Sequence, residues 1–314
     1  MRRLIAVVGP TATGKTALAV ALARAIDGEI VGADSRQVYR CMDIGTAKPA
    51  PEERALAPHH LLDVVDPDEP FSLAEYLGMA NAALEDVWAR GRQPLLVGGS
   101  GQYVWALLEG WTVPRLPPQR ELRRSLEGRA AREGVEALHR ELARVDPQAA
   151  AGIDPRNVRR VIRALEVYQA TGRPISFWQE KAPPPWDTLI LGLTCPRDEL
   201  YRRIDIRVDG MMKAGLVDEV WGLLAMGYRR ELPSMSGIGY REVGQHLAGE
   251  LDLSAAVERI KTATHRLARQ QSTWFRGDDP RIRWIDVSLG EPSQEAVRLV
   301  ESELGLGRAV GHGR

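Results

Sequence analysis

The chain has 314 residues, enough for one large domain with an insertion or for two domains. Apolar residues make up 44% and charged residues 27%, a composition that excludes a disordered chain. The 42 basic residues balance 42 acidic ones, so the net charge of zero does not by itself indicate a nucleic-acid partner.

Short β-branched runs alternate with longer helical patterns along the chain. Strands are predicted at 4–8, 29–33, 61–65, 94–97 and 188–193, and a last one at 283–287. Helices are predicted at 16–25 and 73–90. Because continuous apolar strands that alternate with helices are typical of buried parallel sheets, we predict an α/β fold with a doubly wound parallel sheet.

Two proline-rich segments interrupt this alternation. They are WTVPRLPP at 111–118 and APPPW at 182–186, and the sequence between them has helical periodicity without a convincing strand. We therefore predict a mostly helical insertion domain at 113–187, bounded by stiff connections. Residues 1–112 and 188–314 are predicted to form the catalytic core, with a helical C-terminal part.

A phosphate-binding loop follows the first predicted strand. The sequence GPTATGKT fits G-x-x-x-x-G-K-S/T at every fixed position and precedes a predicted helix. The predicted phosphate site comprises Gly9, Pro10, Thr11, Ala12, Thr13, Gly14, Lys15 and Thr16. Backbone N–H groups and the helix N-terminus bind phosphate, Lys15 adds a positive charge, and the Thr16 hydroxyl is suited to a Mg²⁺ ligand.

Asp34 is the acid nearest to this loop in sequence, at the carboxyl end of the second predicted strand. Ligands of open α/β sheets bind over these strand ends, which predicts that Asp34 and Lys15 share one crevice. Asp34 is also a plausible N-cap for a following helix. Strand position and capping preference favour the two interpretations equally.

Several ordered motifs resemble bacterial tRNA dimethylallyltransferases, also called tRNA isopentenylpyrophosphate transferases. The motifs run from residue 9 to residue 276 and cover most of the chain. They are GPTATGKT (9–16), DSRQVYRCMDIGTAKP (34–49), VGGSGQYVWAL (97–107), VRRVIRALEVYQATGRPIS (158–176), YRRIDIRVDGMMKAGLVDEV (201–220), GIGYREV (237–243) and THRLARQQSTWFR (264–276).

The resemblance implies a P-loop core with a helical insertion. It also implies transfer of the dimethylallyl group of dimethylallyl diphosphate to the exocyclic amine of the adenosine 3′ of the anticodon, position 37, in tRNA. Diphosphate leaves, and Mg²⁺ assists. The phosphate loop then binds the diphosphate of an isoprenoid, whose growing charge cations stabilise during departure.

The resemblance also implies residue roles. Asp34 matches a general base, Thr11 a hydroxyl that contacts the diphosphate, and Arg207 an arginine that reaches the phosphates. Asp34, Ser35, Arg36 and Gln37 match a segment that contacts the extruded adenosine, since an enzyme must take a base out of its stack to reach it. Ser100 matches a hydroxyl that contacts tRNA.

Two positions depart from the family pattern. Cys41 replaces a Gly, and we therefore expect the backbone at this position to have an ordinary, non-glycine conformation. Ser100-Gly101-Gln102 replaces Thr-Gly-Leu, and Gln102 puts the local packing in doubt while Ser100 keeps the hydroxyl.

Basic residues cluster in two helical segments. Asp154-Pro155 predicts a helix start, and the arginines that follow at 156, 159, 160 and 163 form one face with few acids to pair them. Residues 259–283 hold seven basic residues against two acids. These segments add Arg159, Arg160, Arg163, Arg266 and Arg269 to the predicted tRNA-binding residues, and Arg123 of the predicted insertion completes the set. A solvated amphipathic helix is the alternative.

Three other functions remain open. A nucleotide kinase has the same loop but does not account for DSRQVY. Prenylation of free AMP or ADP leaves the basic face without a purpose. An RNA-binding ATPase needs an acid at the end of a later strand, where this chain has Gly98-Gly99-Ser100.

The expected location is the cytoplasm, and the expected state is a monomer without a membrane partner. Cys41 and Cys195 are the only cysteines, which predicts a reducing compartment without disulfides or zinc. No stretch reaches the ~20 apolar residues that span a bilayer. The first apolar run is also too short for a signal peptide.

Overall fold

A computed structural model describes residues 2–304 apart from 115, 117, 118, 180 and 291. It divides into two compact units, Met1–Val104 with Pro185–Arg314, and Trp105–Pro184. The sequence predicts an insertion domain at 113–187, and those domain boundaries remain a prediction. No described helix is long and apolar enough to cross a membrane.

The first unit is built on a six-stranded parallel sheet with the order β3-β2-β4-β1-β5-β6. Its strands are β1 (Arg3–Val8), β2 (Gly28–Gly32), β3 (His59–His60), β4 (Gln93–Gly98), β5 (Asp187–Thr194) and β6 (Ile282–Asp286). The predicted α/β parallel sheet is confirmed. Within β1, residues 4–8 are fully buried because helices cover both faces of the sheet.

Two layers of helices enclose the sheet. The helices of this unit are α1 (Lys15–Ala25), α2 (Pro51–Leu56), α3 (Leu73–Ala89), α9 (Arg197–Lys213), α10 (Leu216–Ala225), α11 (Tyr240–Leu247), α12 (Leu253–Trp274) and α13 (Pro292–Leu304). Apolar residues of α1 and α13 pack with β1, β4 and β5 in one core. A second core joins α9, α10, α11 and α12.

The second unit is helical within its described residues. The division between the units falls inside α4 (Gly101–Leu108), and the later helices are α5 (Arg120–Glu133), α6 (Val135–Val145), α7 (Pro147–Gly152) and α8 (Val158–Thr171). A core that includes Leu126, Leu138, Leu142, Ile162 and Leu165 holds the bundle together.

The predicted strand at 61–65 is wrong. The strand is limited to His59–His60, and the next residues turn away with positive φ at Leu61 (64°) and Asp63 (55°). Asp63 binds Lys48 at 2.6 Å and Arg54 at 2.9 Å. Backbone hydrogen bonds link Val64 and Val65 to Val38, so the segment pairs with a loop instead of extending the sheet.

The predicted helix start at Asp154-Pro155 is also wrong. The helix begins at Val158, and Asn157 caps it by accepting a hydrogen bond from the Arg160 N–H at 3.3 Å. Asp154 instead accepts one from the Arg156 N–H at 2.9 Å. That turn takes the chain out of helical geometry, so Arg156 does not belong to the arginine face.

Cys41 has a φ of 61°, in the left-handed region that favours glycine. The expectation that this position tolerates ordinary backbone geometry is therefore wrong. A non-glycine residue here raises the energy of the folded backbone by about 1–2 kcal/mol.

A buried carboxylate joins the sheet edge to α3. The side chain of Glu29 in β2 is 4% exposed and lies 2.7 Å from both His60 and Arg90 and 3.2 Å from Arg92. Burial alone raises the pKa of Glu29, but the hydrogen bonds and charges of His60 and Arg90 outweigh burial and hold the pKa below 4.5.

We expect Glu29→Gln to lower the free energy of unfolding by about 2 kcal/mol at pH 7, because charged hydrogen bonds are lost from a buried site. The folded pKa is depressed, so this stabilisation is present above the unfolded pKa and is lost as pH falls through the folded value. Urea unfolding at pH 7 and at pH 3 measures it. If the free energies of unfolding of wild type and variant differed by the same amount at pH 7 and at pH 3, the ion-pair explanation would be contradicted.

Candidate active site

The phosphate loop connects β1 to α1. Gly9 has a φ of 137°, and a Cβ there would lie 2.5 Å from the carbonyl oxygen of Leu193. Gly14 has a φ of 85° and precedes the first residue of α1. These conformations bring the loop around the N-terminus of α1, where unpaired N–H groups bind anions.

Lys15 lies across this loop. Its Nζ donates to the carbonyl oxygen of Pro10 at 2.6 Å, and the Thr13 hydroxyl donates to the same oxygen at 2.9 Å. Burial and, to a smaller extent, the charge of Arg207 lower the pKa of Lys15, the charge of Asp34 opposes them, and the resulting pKa is about 8. An anion bound beside Lys15 and Arg207 offsets this repulsion.

Arg207 approaches from α9. It lines the same cleft as Thr11, and no ion pair or hydrogen bond joins its guanidinium to any described residue. Burial lowers the pKa of Arg207 from its ordinary value. A half-buried guanidinium with free donors is suited to bidentate binding of phosphate oxygens.

Asp34 follows the last residues of β2 and lines the cleft. Its Oδ1 accepts a hydrogen bond from the Arg36 N–H at 2.8 Å. Residues 35–38 form turns and begin no helix, so Asp34 stabilises a turn and caps no helix, which corrects one of its two interpretations. None of the described residues binds Oδ2, and this oxygen is available as a proton acceptor.

The residues after Asp34 make internal contacts. The Ser35 N–H donates to Ser100 Oγ at 3.0 Å, so these two predicted tRNA contacts lie together. Arg36 donates to the Pro233 carbonyl oxygen at 2.8 Å. Gln37 donates to the carbonyl oxygens of residues 46 and 47, and its amide nitrogen therefore holds the neighbouring loop.

Sequence reasoning missed the role of Glu219 in α10. Its carboxylate accepts from the N–H groups of Asp43, Ile44 and Gly45 at 2.7–3.1 Å, and from the Tyr240 hydroxyl at 2.6 Å. A Cβ on Gly45 would lie 2.5 Å from the Tyr240 ring. Glu219 thus fixes the loop that forms one wall of the cleft. Its occurrence in a family motif was the only signal in the sequence.

The cleft has a volume of about 440 Å³. Its polar lining includes Thr11, Asp34, Ser35, Arg36, Ser100, Gln102 and Arg207. Its apolar lining includes Ile204, Val208, Met211, Ile260, Leu267 and Trp274 from α9 and α12. Charged groups on one side and aliphatic groups on another suit a ligand with an anionic head and a short hydrocarbon chain.

Four predicted tRNA-binding arginines belong to the helical unit. Glu166 is fully buried and lies 2.8 Å from Arg123 and 2.6 Å from Arg163, whose hydrogen bonds outweigh burial and keep its pKa low. The inference that the arginines of this face lack acidic partners on the helix is therefore wrong for Arg163, although few acids lie on the face. Arg159 and Arg160 are exposed, and no described acid pairs with either.

The predicted residues of α12 differ in their contacts. Arg269 donates to the Tyr201 hydroxyl at 2.7 Å and is exposed, as is Arg266. Lys261, on the same helix, pairs with Asp209 at 2.9 Å. Both predicted tRNA-binding arginines of α12 are therefore exposed and have no described carboxylate partner.

The sequence matches the family model described as IPP transferase over residues 37–278. A second match, isopentenyl transferase, covers residues 2–59. The chain belongs to the IPP transferase family. The IPP transferase match includes Arg207, Glu219 and α12, and the second match includes the phosphate loop and Asp34.

Relatives in this family span nearly the whole chain. The tRNA dimethylallyltransferase of Roseiflexus sp. strain RS-1 is 54% identical over 297 residues, which are 95% of this chain and 97% of the relative. The tRNA dimethylallyltransferase of Chloroflexus aurantiacus strain J-10-fl is 59% identical over 276 residues, covering 88% of this chain and 93% of the relative.

Solved structures of IPP transferases show the same fold. The full-length tRNA isopentenylpyrophosphate transferase of Bacillus halodurans is 40% identical, with a TM-score of 0.72 and 98% of each chain covered. A eukaryotic dimethylallyltransferase acting on tRNA is 27% identical, with a TM-score of 0.83 over 99% of this chain and 82% of that one.

Proposed function

We propose that this chain transfers the dimethylallyl group of dimethylallyl diphosphate to tRNA, at the exocyclic amine of the adenosine 3′ of the anticodon. The observation that carries the proposal is that Thr11 of the phosphate loop, Asp34 and Arg207 line one cleft. The names of the family's relatives support the same reaction.

The proposed donor site holds the diphosphate between the phosphate loop and α9. Lys15 and Arg207 contribute positive charge, and Thr11 contributes a hydroxyl. During transfer, the bond between the allylic carbon and a diphosphate oxygen breaks while the carbon–nitrogen bond forms. The departing oxygen gains negative charge, which preorganised cations stabilise more strongly than they stabilise the bound donor.

The proposed acceptor site centres on Asp34. An aromatic amine is a weak nucleophile, so Asp34 accepts its proton as the new bond forms. Residues 35–37 and Ser100 are proposed to contact the base, which must leave the stack to reach the cleft. The product is N⁶-dimethylallyladenosine, and diphosphate is released.

A divalent cation, which we propose to be Mg²⁺, fits the donor site. Thr16 follows Lys15 and carries a hydroxyl in the first turn of α1, while the described residues contain no cluster of three or more His, Cys, Asp or Glu. Mg²⁺ at such sites binds mainly phosphate oxygens and water, with few protein ligands. Thr16 would supply the protein ligand, and the cation would neutralise diphosphate charge.

We also propose that the protein is a cytoplasmic monomer, with tRNA as its macromolecular partner.

The proposed transfer is tested by incubating the protein with labelled dimethylallyl diphosphate and unmodified tRNA. Label should appear in the RNA and should be absent with AMP or ADP as acceptor. Transfer to free nucleotides alone would assign the chain to the nucleotide-prenylating alternative, and consumption of ATP without label transfer would indicate a kinase.

The exposed arginines of α8 provide a test of tRNA binding. Replacing Arg159 and Arg160 by Gln should reduce the slope of log affinity against log salt by about 0.7–0.9 for each lost phosphate contact. Filter binding between 50 and 200 mM salt measures the slope.

Arg163→Gln is the matched control on the same helix. Because Arg163 pairs with the buried Glu166, its replacement should lower the melting temperature and change the salt slope little. A triple variant, with Arg159, Arg160 and Arg163 all replaced by Gln, should show both effects. An unchanged slope for the double variant would mean that the α8 face is only solvated.

A further inference from the structure

The side chain of Gln271 connects two loops of the cleft. Its Oε1 accepts a hydrogen bond from the N–H of Thr11 at 2.7 Å, and its Nε2 donates to the carbonyl oxygen of Gly99 at 3.0 Å. The residue lies in α12 and is 8% exposed. Thr11 can only donate at this position and Gly99 can only accept, so the amide has one possible orientation.

One of these loops belongs to the proposed donor site, and the other belongs to the proposed acceptor site. Thr11 is part of the phosphate loop. Gly99 precedes Ser100, whose Oγ accepts from the Ser35 N–H next to Asp34. We propose that Gln271 is a positioning residue that holds the donor loop and the acceptor loop at a fixed separation. The inference rests on the proposed function and assigns Gln271 no contact with substrate.

Close packing restricts the side chain of Gln271, whose two hydrogen bonds to Thr11 and Gly99 form a bridge between the loops. A Cβ on Gly99 would lie 2.3 Å from Nε2 of Gln271, so the backbone approaches the amide as only glycine permits. A Cβ on Gly101 would lie 2.2 Å from the ring of Trp274, one turn further along α12. The end of α12 is therefore packed against the loop that follows β4 at two adjacent points.

The bridge has a consequence for the rate. Prenyl transfer needs the allylic carbon and the amine nitrogen about 3–3.5 Å apart, and a displacement of ~1 Å lowers a rate by on the order of a hundredfold. Removing the bridge should therefore lower the rate in the ternary complex while each substrate alone binds within a few-fold of wild type.

Two substitutions of similar shape separate hydrogen bonding from packing. Gln271→Met keeps the volume and loses both hydrogen bonds. Gln271→Glu loses the donor to Gly99 when its carboxylate is ionised, but the protonated carboxyl has both an acceptor for Thr11 and a donor for Gly99. Burial raises the pKa of such a carboxyl, so acidification should restore the bridge in Gln271→Glu and should not do so in Gln271→Met.

The experiment measures single-turnover transfer from saturating donor to saturating tRNA between pH 5 and pH 9. Each variant rate is divided by the wild-type rate at the same pH, because Lys15, whose pKa is about 8, titrates in every variant. We expect Gln271→Met to be about a hundredfold slow throughout. For Gln271→Glu, the ratio should rise at least tenfold as pH falls. A ratio independent of pH, or a Gln271→Met rate near wild type, would overturn the proposal.

Two further measurements keep the test decisive. Gly99→Ala displaces the amide from the opposite side and should give the Gln271→Met phenotype, whereas Ser272→Ala, at the exposed next position, should react as wild type. Hydrogen exchange at the Thr11 N–H should accelerate in Gln271→Met, and unchanged exchange would contradict the bridge. Because exchange needs no turnover, failure of the wild-type chain to label tRNA would overturn the proposed function separately.

Discussion

Replacing Asp34 by Asn is expected to lower the rate of prenyl transfer by about a hundredfold or more, the usual contribution of a general base. Asn keeps the side-chain shape and an oxygen that accepts the hydrogen bond from the Arg36 N–H, which in wild type is 2.8 Å long. It cannot accept the amine proton. The local turn therefore survives the substitution, and the loss concerns the chemical step.

Single-turnover kinetics with saturating donor and tRNA isolate that step from binding and product release. Asp198→Asn, at an exposed position in the first turn of α9, controls for a general loss of negative charge. If Asp34→Asn reacted within a few-fold of wild type while its melting temperature fell, Asp34 would serve only to stabilise the turn.

Lys15→Ala is expected to abolish transfer and to leave tRNA affinity intact. Lys15 lies in the phosphate loop, and its charge interacts with Arg207 and Asp34. Its removal deletes the cation that stabilises the leaving diphosphate, a loss on the order of 10²–10³ in rate or greater. Lys213→Ala, which removes an exposed lysine at the end of α9, should have no effect on the rate.

The lowered pKa of Lys15, about 8, adds a pH dependence. Lys15 binds the diphosphate in its protonated form, so donor affinity should fall as pH rises through about 8 in the wild type. This fall in donor affinity with rising pH should be missing in Lys15→Ala. Isothermal titration with a non-reactive diphosphate analogue at pH 6.5 and pH 9 measures it. A matching loss of tRNA affinity in folded Lys15→Ala would contradict a role limited to the donor.

Local sequence determined the phosphate loop and the main strands. The loop needs glycines at two fixed positions and a Lys-Thr pair at the start of a helix, and all these residues lie within eight positions. Strands such as β1 and β5 are continuous apolar runs because the sheet is buried on both faces. These patterns, with the ordered family motifs, were sufficient to predict the α/β fold and the reaction.

Other features depended on contacts between residues far apart in sequence. Residues 61–65 have the composition of a strand, but Asp63 binds Lys48 and Arg54, and those ion pairs outweigh β-propensity. The sequence predicted few acids on the arginine face of α8. Glu166 lies three residues after Arg163, yet only the folded unit places Arg123 on the same carboxylate.

The phosphate loop and Asp34 were predictable from sequence because their geometry is set by neighbouring residues. Only the tertiary structure revealed the roles of Glu219 and Gln271. Glu219 accepts hydrogen bonds from three backbone N–H groups about 175 positions away, and Gln271 accepts one from Thr11, 260 positions away. A hydrogen bond between distant segments has no sequence period, so neither composition nor spacing indicates it. Sequence alone thus determined the chemical groups of the site, and long-range packing decided how they are held.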